Sequence, residues 1–419
     1  MEYKFSQLFT WSSGKPITPT DGDIPVYGSN GIIGYTATSK YNNKIILGRV
    51  GAYCGSVEYC PNDFNATDNT LITTCDESKI LYPYAYFLLK QYKLNGFAGG
   101  AAQPLITQGL LKHLKCDIPD IVEQKRIADI LSTYDELIEN NNKRIKLLEQ
   151  MAENLYKEWF VRFRFPGYEN AEFENGIPVG WEVKRLGDEL TIKRGGSPRP
   201  IQDYITENGL KWLKISDATK TDNPFIFNIE ESIKEEGLKK TVYRKAGSLV
   251  LSNSATPGLP RILALDTCIH DGWLYFENQK LSNEFLFLFF NHIRPQLVNK
   301  GNGAVFTNLK TDILKKYSFV RPADDILSQF DAIVQPLFKQ IYSITQQNNN
   351  LIKQRDLLLP RLMSGKLEVR KTSETDQKAK VISFEQFVSN MGMAARAKSI
   401  SDSDLKAMYE AYIDDDATD

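Results

Sequence analysis

Residues 127 to 159 read IADILSTYDELIENNNKRIKLLEQMAENLYKEW. Within them Ile127, Ile130, Tyr134, Leu137, Asn141, Ile145, Leu148, Ala152, Leu155 and Trp159 recur in steps of three and four, with one extra four. That spacing predicts a long helix carrying a coiled-coil seam with a polar residue, Asn141, inside it. A second such series runs through Ile326, Phe330, Ile333, Leu337, Ile341, Ile344, Asn348, Leu351, Arg355, Leu358 and Leu362. Both segments carry a triple asparagine, at 140–142 and 348–350. Pro336 should kink the second helix or mark its true start, because an internal proline removes a hydrogen bond and crowds the preceding turn. A helix of ~38 residues spans ~57 Å, longer than a domain of this size is wide. Two surface helices, each packed on its own domain, would be the bland account; two of matching length in one chain can instead bury their seams on each other. An antiparallel pair is expected, since a chain ordered domain, helix, domain, helix can then close on itself.

Outward from the helices the chain repeats. Gly55 and Gly258, Asp68 and Asp271, Gly100-Ala101 and Gly303-Ala304, and Pro119 and Pro322 all stand 203 residues apart. Several anchors at one offset mark two copies of one unit. Identity between the copies is low, so they share a scaffold and contact different things. Short β-prone runs (44–47, 71–74, 248–251, 261–265) alternate with Gly, Pro and Asn turns, and the aromatic-rich stretches 84–91 and 283–292 read as buried helices. Residues 165–181, punctuated by Pro and Gly, read as a linker. The expected organisation is a first domain at 1–121, a helix at 122–164, the linker, a second domain at 182–323, a second helix at 324–367 and a tail at 368–419. In the tail Ser401-Asp402 could start a helix with Leu405, Met408, Tyr409 and Tyr412 on one face. The fold class is α+β: two mixed α/β domains joined by two long antiparallel helices, with a pseudo-twofold internal repeat.

A chain of 419 residues exceeds what one core usually supports, in keeping with two domains. No segment approaches the roughly 18 uninterrupted apolar residues of a membrane span, and the start, MEYKFSQLFTWSSGK, is not that of a secretory signal, so a cytoplasmic protein is expected. Five cysteines without a CxxC pair point to reduced, buried thiols. The net charge of −1 gives no global sign of a polyanion partner, so a nucleic-acid role must rest on local clustering of Lys and Arg.

Particular residues then supply the resemblance. The run Ile24-Pro25-Val26-Tyr27-Gly28-Ser29-Asn30-Gly31-Ile32-Ile33-Gly34-Tyr35, then Ile46-Leu47-Gly48-Arg49-Val50-Gly51, then Ala66-Thr67-Asp68-Asn69-Thr70, resembles a target-recognition domain of the specificity subunits of type I restriction-modification systems. Gln124 to Leu131 and Leu155 to Val161 are similar to that family's central spacer, and Leu358 to Leu367 to its C-terminal spacer. The second copy opens with Gly180-Trp181-Glu182-Val183 and Lys193-Arg194-Gly195-Gly196-Ser197-Pro198-Arg199, another opening the family uses, but lacks the GSNGxxGY run. The resemblance covers residues 1 to about 370. It implies a bacterial phage-defence subunit, non-catalytic by itself, in which each domain reads one half of a bipartite double-stranded DNA site. Two modification subunits would dock on the helices and domains, and restriction subunits would join them. S-adenosylmethionine, ATP and Mg2+ would be bound by those partners, with no cofactor or metal on this chain.

The candidate DNA contacts are Gly28, Ser29, Asn30 and Gly31, whose backbone can approach a phosphate while Asn reaches an adenine edge, and Arg49, suited to guanine. In the second copy they are the basic turn Lys193, Arg194, Ser197 and Arg199, together with Ser252 and Asn253, which stand near where the first copy has Gly48-Arg49. Gln103 and Asn302 occupy matching loops. Two other classes stay open: a coiled-coil scaffold with protein-binding domains, and a metal-dependent nuclease. The nuclease is suggested only by Pro119-Asp120 and Glu123-Gln124-Lys125, where both acids fall at a helix start and suit its dipole instead. No phosphate loop and no DPPY or NPPY run occurs, and His113, His270 and His292 are scattered.

Overall fold

The computed structural model describes residues 2–99, 104–299 and 309–367. The tail, Gln103 and Asn302 lie outside them. The chain divides into two compact units. One holds the described residues up to Ile130 together with those from Leu358 onward; the other is Leu131–Leu357.

In the first unit Glu2–Lys4 pairs antiparallel with Lys115–Asp117, so the strand that enters the domain is bonded to the strand that leaves it. Between them lies a six-stranded sheet in the order Phe9–Ser13, Thr70–Cys75, Tyr41–Gly48, Val57–Ala66, Ile24–Gly28, Gly31–Thr36. Its one parallel contact sets Val26 and Tyr27 beside Asn65 and Ala66. The helix Tyr82–Gln91 buries Tyr84, Phe87, Leu88 and Leu89. Asp120 caps the first long helix, its Oδ1 accepting from the Glu123 N–H at 2.9 Å, and Glu123 pairs with Arg126 at 3.3 Å. The two acids of the nuclease-like spelling thus serve the helix start.

The second unit repeats this scheme. Glu182–Arg185 pairs with Ser318–Arg321, and a five-stranded sheet runs Thr191–Arg194, Trp273–Glu277, Leu249–Ser252, Pro260–Leu263, Phe225–Ile226. Strands begin at Val57 and Pro260, at Thr70 and Trp273, and at Lys115 and Ser318; helices begin at Gln108 and Thr311, and at Ile121 and Asp324. Each pair is 203 apart. The second copy also has a second five-stranded sheet, Ile205–Thr206, Ser232–Ile233, Leu210–Leu213, Thr267–Ile269, Val242–Arg244, most of it inserted between Arg194 and Leu249. The linker forms a small hairpin, Phe173–Glu174 with Ile177–Pro178, and buries Phe165 and Trp181 at its ends.

The long helices span Ile121–Tyr156, continued by one π-type turn at Lys157–Val161, and Asp324–Met363. The second runs through Pro336, which is therefore not its start. Within Leu131–Leu357 the helices are antiparallel. Asn141 Nδ2 donates to Asn348 Oδ1 at 2.8 Å, Asn348 Nδ2 donates to Asn142 Oδ1 at 2.9 Å, and Asp135 pairs with Arg355 further along. The expected seam holds at Ile127, Asn141, Ile341 and Ile344, which are buried, and more loosely at Ile130, Tyr134, Leu148, Leu155, Leu337, Leu351 and Leu358, which are half-buried. It fails at Leu137 and Ile333, exposed by 47% and 45%. Leu131, Val334 and Phe338 are buried instead. For Val334 and Phe338 the cause is the second domain, on which both helices pack. Ile145, Ala152, Tyr156, Phe330, Val334 and Phe338 join one core with Phe285, Phe287 and Phe289, and facing a domain as well as a helix rotates the apolar line.

Candidate nucleic-acid interface

In the first domain the hairpin Ile24–Gly28/Gly31–Thr36 closes through Ser29-Asn30. Ser29 Oγ donates to the Asn69 carbonyl at 2.6 Å, and Ser56 Oγ donates to the Ser29 carbonyl at 2.7 Å. The Arg49 N–H donates to the same Asn69 carbonyl at 2.9 Å, while the Arg49 carbonyl accepts from the Ile106 N–H at 3.0 Å and from Cys54 Sγ at 3.1 Å. The hairpin tip, Arg49 and the 67–70 loop, separate in sequence, are thus tied together. Gly48 makes this closeness possible: a Cβ there would sit 2.3 Å from Ser56 Oγ and 2.9 Å from the Ser29 carbonyl. Asn30 is exposed, and Arg49 is half-buried with its Nε lacking any partner. A buried, unpaired guanidinium nitrogen is costly unless a ligand or water completes it. The Pro104 carbonyl accepts from the Gly51 N–H, and the Ile106 N–H donates to the Arg49 carbonyl, which brings residues 104–106 to the same place.

In the second domain the basic turn is held on an acid. Gly195 and Gly196 run against the strand ending at Ile269, and a Cβ on Gly195 would lie 2.3 Å from the His270 carbonyl. Asp271 Oδ1 accepts from Ser197 Oγ at 2.7 Å, Arg199 reaches Oδ2 at 3.4 Å and Arg194 stands 3.9 Å from it. Burial alone would raise the Asp271 carboxyl, but the Ser197 hydrogen bond and the neighbouring positive groups outweigh it and hold the acid below its ordinary value. Lys193 pairs with Glu277 at 2.7 Å, which raises its ammonium pKa above the ordinary lysine value. The basic turn is therefore partly neutralised from within, Asp271 and Glu277 standing against Lys193, Arg194 and Arg199.

Ser252 and Asn253 are a correction. They are 0% and 4% exposed, inside the domain. Ser252 Oγ accepts from the Leu259 N–H at 2.9 Å and donates to the Thr256 carbonyl, and Asn253 Nδ2 donates to the Asp271 carbonyl at 3.3 Å. They shape the loop beneath Asp271 and present nothing outward. Missed by the sequence reading were Asn69 and Asp271 as organisers, although Asp68 and Asp271 had already marked the repeat.

All five cysteines are buried and free. No helix among the described residues is long and apolar enough to cross a membrane, and among them no group of three or more His, Cys, Asp or Glu side chains could hold a metal.

Comparison with known proteins gives a consistent result. The family model for the type I restriction modification DNA specificity domain matches twice, over residues 6–150 and 178–354. The MjaIX specificity subunit of Methanocaldococcus jannaschii is 29% identical over 308 residues, covering 69% of this chain and 70% of its own. The HindI specificity subunit of Haemophilus influenzae is 24% identical over 381 residues, covering 72% and 82%. Among solved structures, the S subunit of a type I restriction-modification system from M. genitalium superposes with a TM-score of 0.58 at 16% identity, covering 89% of this chain and 96% of its own.

Proposed function

Because this chain belongs to the type I restriction modification DNA specificity family, we propose that its two domains each read one half of a bipartite double-stranded DNA site while the helix pair fixes the gap between the halves. The chain is the DNA-recognition subunit of a type I restriction-modification enzyme. By itself it performs no chemistry. Two modification subunits dock on it and supply S-adenosylmethionine-dependent methyl transfer; restriction subunits supply ATP- and Mg2+-dependent cleavage; the assembly works in the cytoplasm.

The observation that carries this reading is the 203-residue repeat of element starts combined with two unlike loop clusters. A common framework offers partners two equivalent seats, and divergent loops read an asymmetric target. Half-site reading is tested in the complex assembled with the modification subunits. Arg49→Ala should relax discrimination at one base pair of one half-site, a loss of about 1–3 kcal/mol, and leave the other half untouched. Methylation sequencing of a host carrying the wild-type and variant genes shows which half changed. Relaxation of both halves, or of neither, would refute the division of labour.

A further inference from the structure

The first domain exposes five large apolar side chains among its described residues before the helix: Ile32, Ile33, Tyr35, Tyr53 and Phe97. Three of them stand on the one strand Gly31–Thr36, exposed by 49%, 44% and 48%. That strand is the last in the order of its sheet, and its hairpin partner pairs with the next strand at Val26 and Tyr27. The two-stranded ribbon is tied to the domain at Ser29, Tyr35 and Thr36, yet carries these exposed apolar groups. A bulge at Ile33 sets Ile32 opposite Tyr27 and Tyr35 opposite Pro25, so Ile32 and Tyr35 share a face, while Ile33 lies over the ribbon tip, its Cγ2 3.0 Å from where a Gly28 Cβ would be. Such clustering at an edge invites aggregation unless something covers it.

We propose that the exposed face of this ribbon enters the major groove and that Ile32 and Tyr35 read the 5-methyl groups of thymines in the half-site of the first domain. The inference rests on the DNA-recognition reading and adds to it a base and an atom. The apolar patch is continuous with Ser29 and Asn30 at the ribbon tip, which is tied through Asn69 to Arg49 and its unpaired Nε, so polar and apolar groups meet one ligand. The major groove is about 12 Å wide and admits a two-stranded ribbon whose strands lie about 4.8 Å apart. The thymine methyl is the one apolar group that base edges display there. A modification subunit, also able to cover an apolar edge, is the competing occupant that the test separates.

The complex with its modification subunits is titrated with duplexes carrying its methylated site, each thymine of the first-domain half replaced in turn by deoxyuridine. Loss of a methyl should weaken binding about three- to fivefold at one or more positions. Ile32→Ala, or Ile32→Thr if the first variant folds poorly, should bind the normal site more weakly and become indifferent to deoxyuridine. Equal binding of thymine and deoxyuridine by a wild-type complex that still rejects a scrambled half-site would overturn this inference alone. So would a half-site without thymine, or a variant that loses modification subunits while keeping its thymine dependence. Absence of any site-specific binding would overturn the recognition reading beneath it.

Discussion

At one place in the framework the two copies close the same space with opposite chemistry. In the first, Leu8 ends the short helix after the entry strand and Ile118 follows the exit strand; both are buried. In the second, the matching positions are Glu189 and Arg321, whose Nε reaches the carboxylate at 3.0 Å while Glu189 is 1% exposed. The surrounding strands and helices keep their places, so the scaffold needs a filled and internally satisfied slot there, apolar or ionic. The candidate recognition faces differ in the opposite sense. Both are polar, yet the first leaves Arg49 Nε incomplete and the second sets Arg194 and Arg199 against Asp271.

The largest expected effect tests the framework slot. Arg321→Ile alone leaves Glu189 buried with only the looser Lys184 and Lys280 near it, and should cost about 3 kcal/mol. Adding Glu189→Leu, which rebuilds the first copy's pair, should return stability to within about 1 kcal/mol of the parent. Denaturant unfolding of the single and double variants reads this, and a double variant no better than Arg321→Ile would break the equivalence of the two slots.

A smaller effect separates the recognition faces. Asp271→Asn keeps a group able to accept from Ser197 but removes the charge that holds Arg194 and Arg199. DNA affinity of the assembled complex should rise, and the slope of log affinity against log salt should steepen by about 1. An unchanged slope in fluorescence titrations would mean that this turn does not face phosphate, leaving the two copies even less alike.

The smallest effect compares the helices. Glu149, eight residues past Asn141, is partly buried with Oε1 unpartnered, whereas Asp356, eight past Asn348, is exposed and paired with Arg355 at 2.8 Å. Burial pushes the Glu149 carboxyl up to about 7, with Arg261 pulling against it. A carboxyl raised in the folded state favours folding below its ordinary value near 4.5, and that contribution fades as pH climbs through about 7. Stability should therefore fall between about pH 5 and about pH 8, and Glu149→Gln should flatten that fall. Unfolding midpoints at the two pH values check it; an identical fall in the variant would assign the dependence elsewhere.

Much of the framework was legible in the sequence because periodicity and repeat spacing are local, additive signals. The offset drawn from Gly55, Asp68 and Pro119 predicted the pairing of element starts, and the asparagines in the two seams did meet. The exact buried line was not legible at Leu137 and Ile333, since a seam read in one dimension cannot show that the helices also lie on a sheet domain. Nor was the depth of Ser252 and Asn253, because position in a motif carries no burial. The neutralising role of Asp271 depends on strand pairing that sets Arg194 beside Leu274, eighty residues later in the chain.

The ladder between Glu2–Lys4 and Lys115–Asp117, matched by the one between Glu182–Arg185 and Ser318–Arg321, places the entrance and exit of each domain side by side. Genetically, each domain is a cassette with both joints at one address. Recombination between genes that share these flanking strands could replace a whole reading head in a single exchange while leaving the helices in phase, so a host could acquire a new target without rebuilding the enzyme around it.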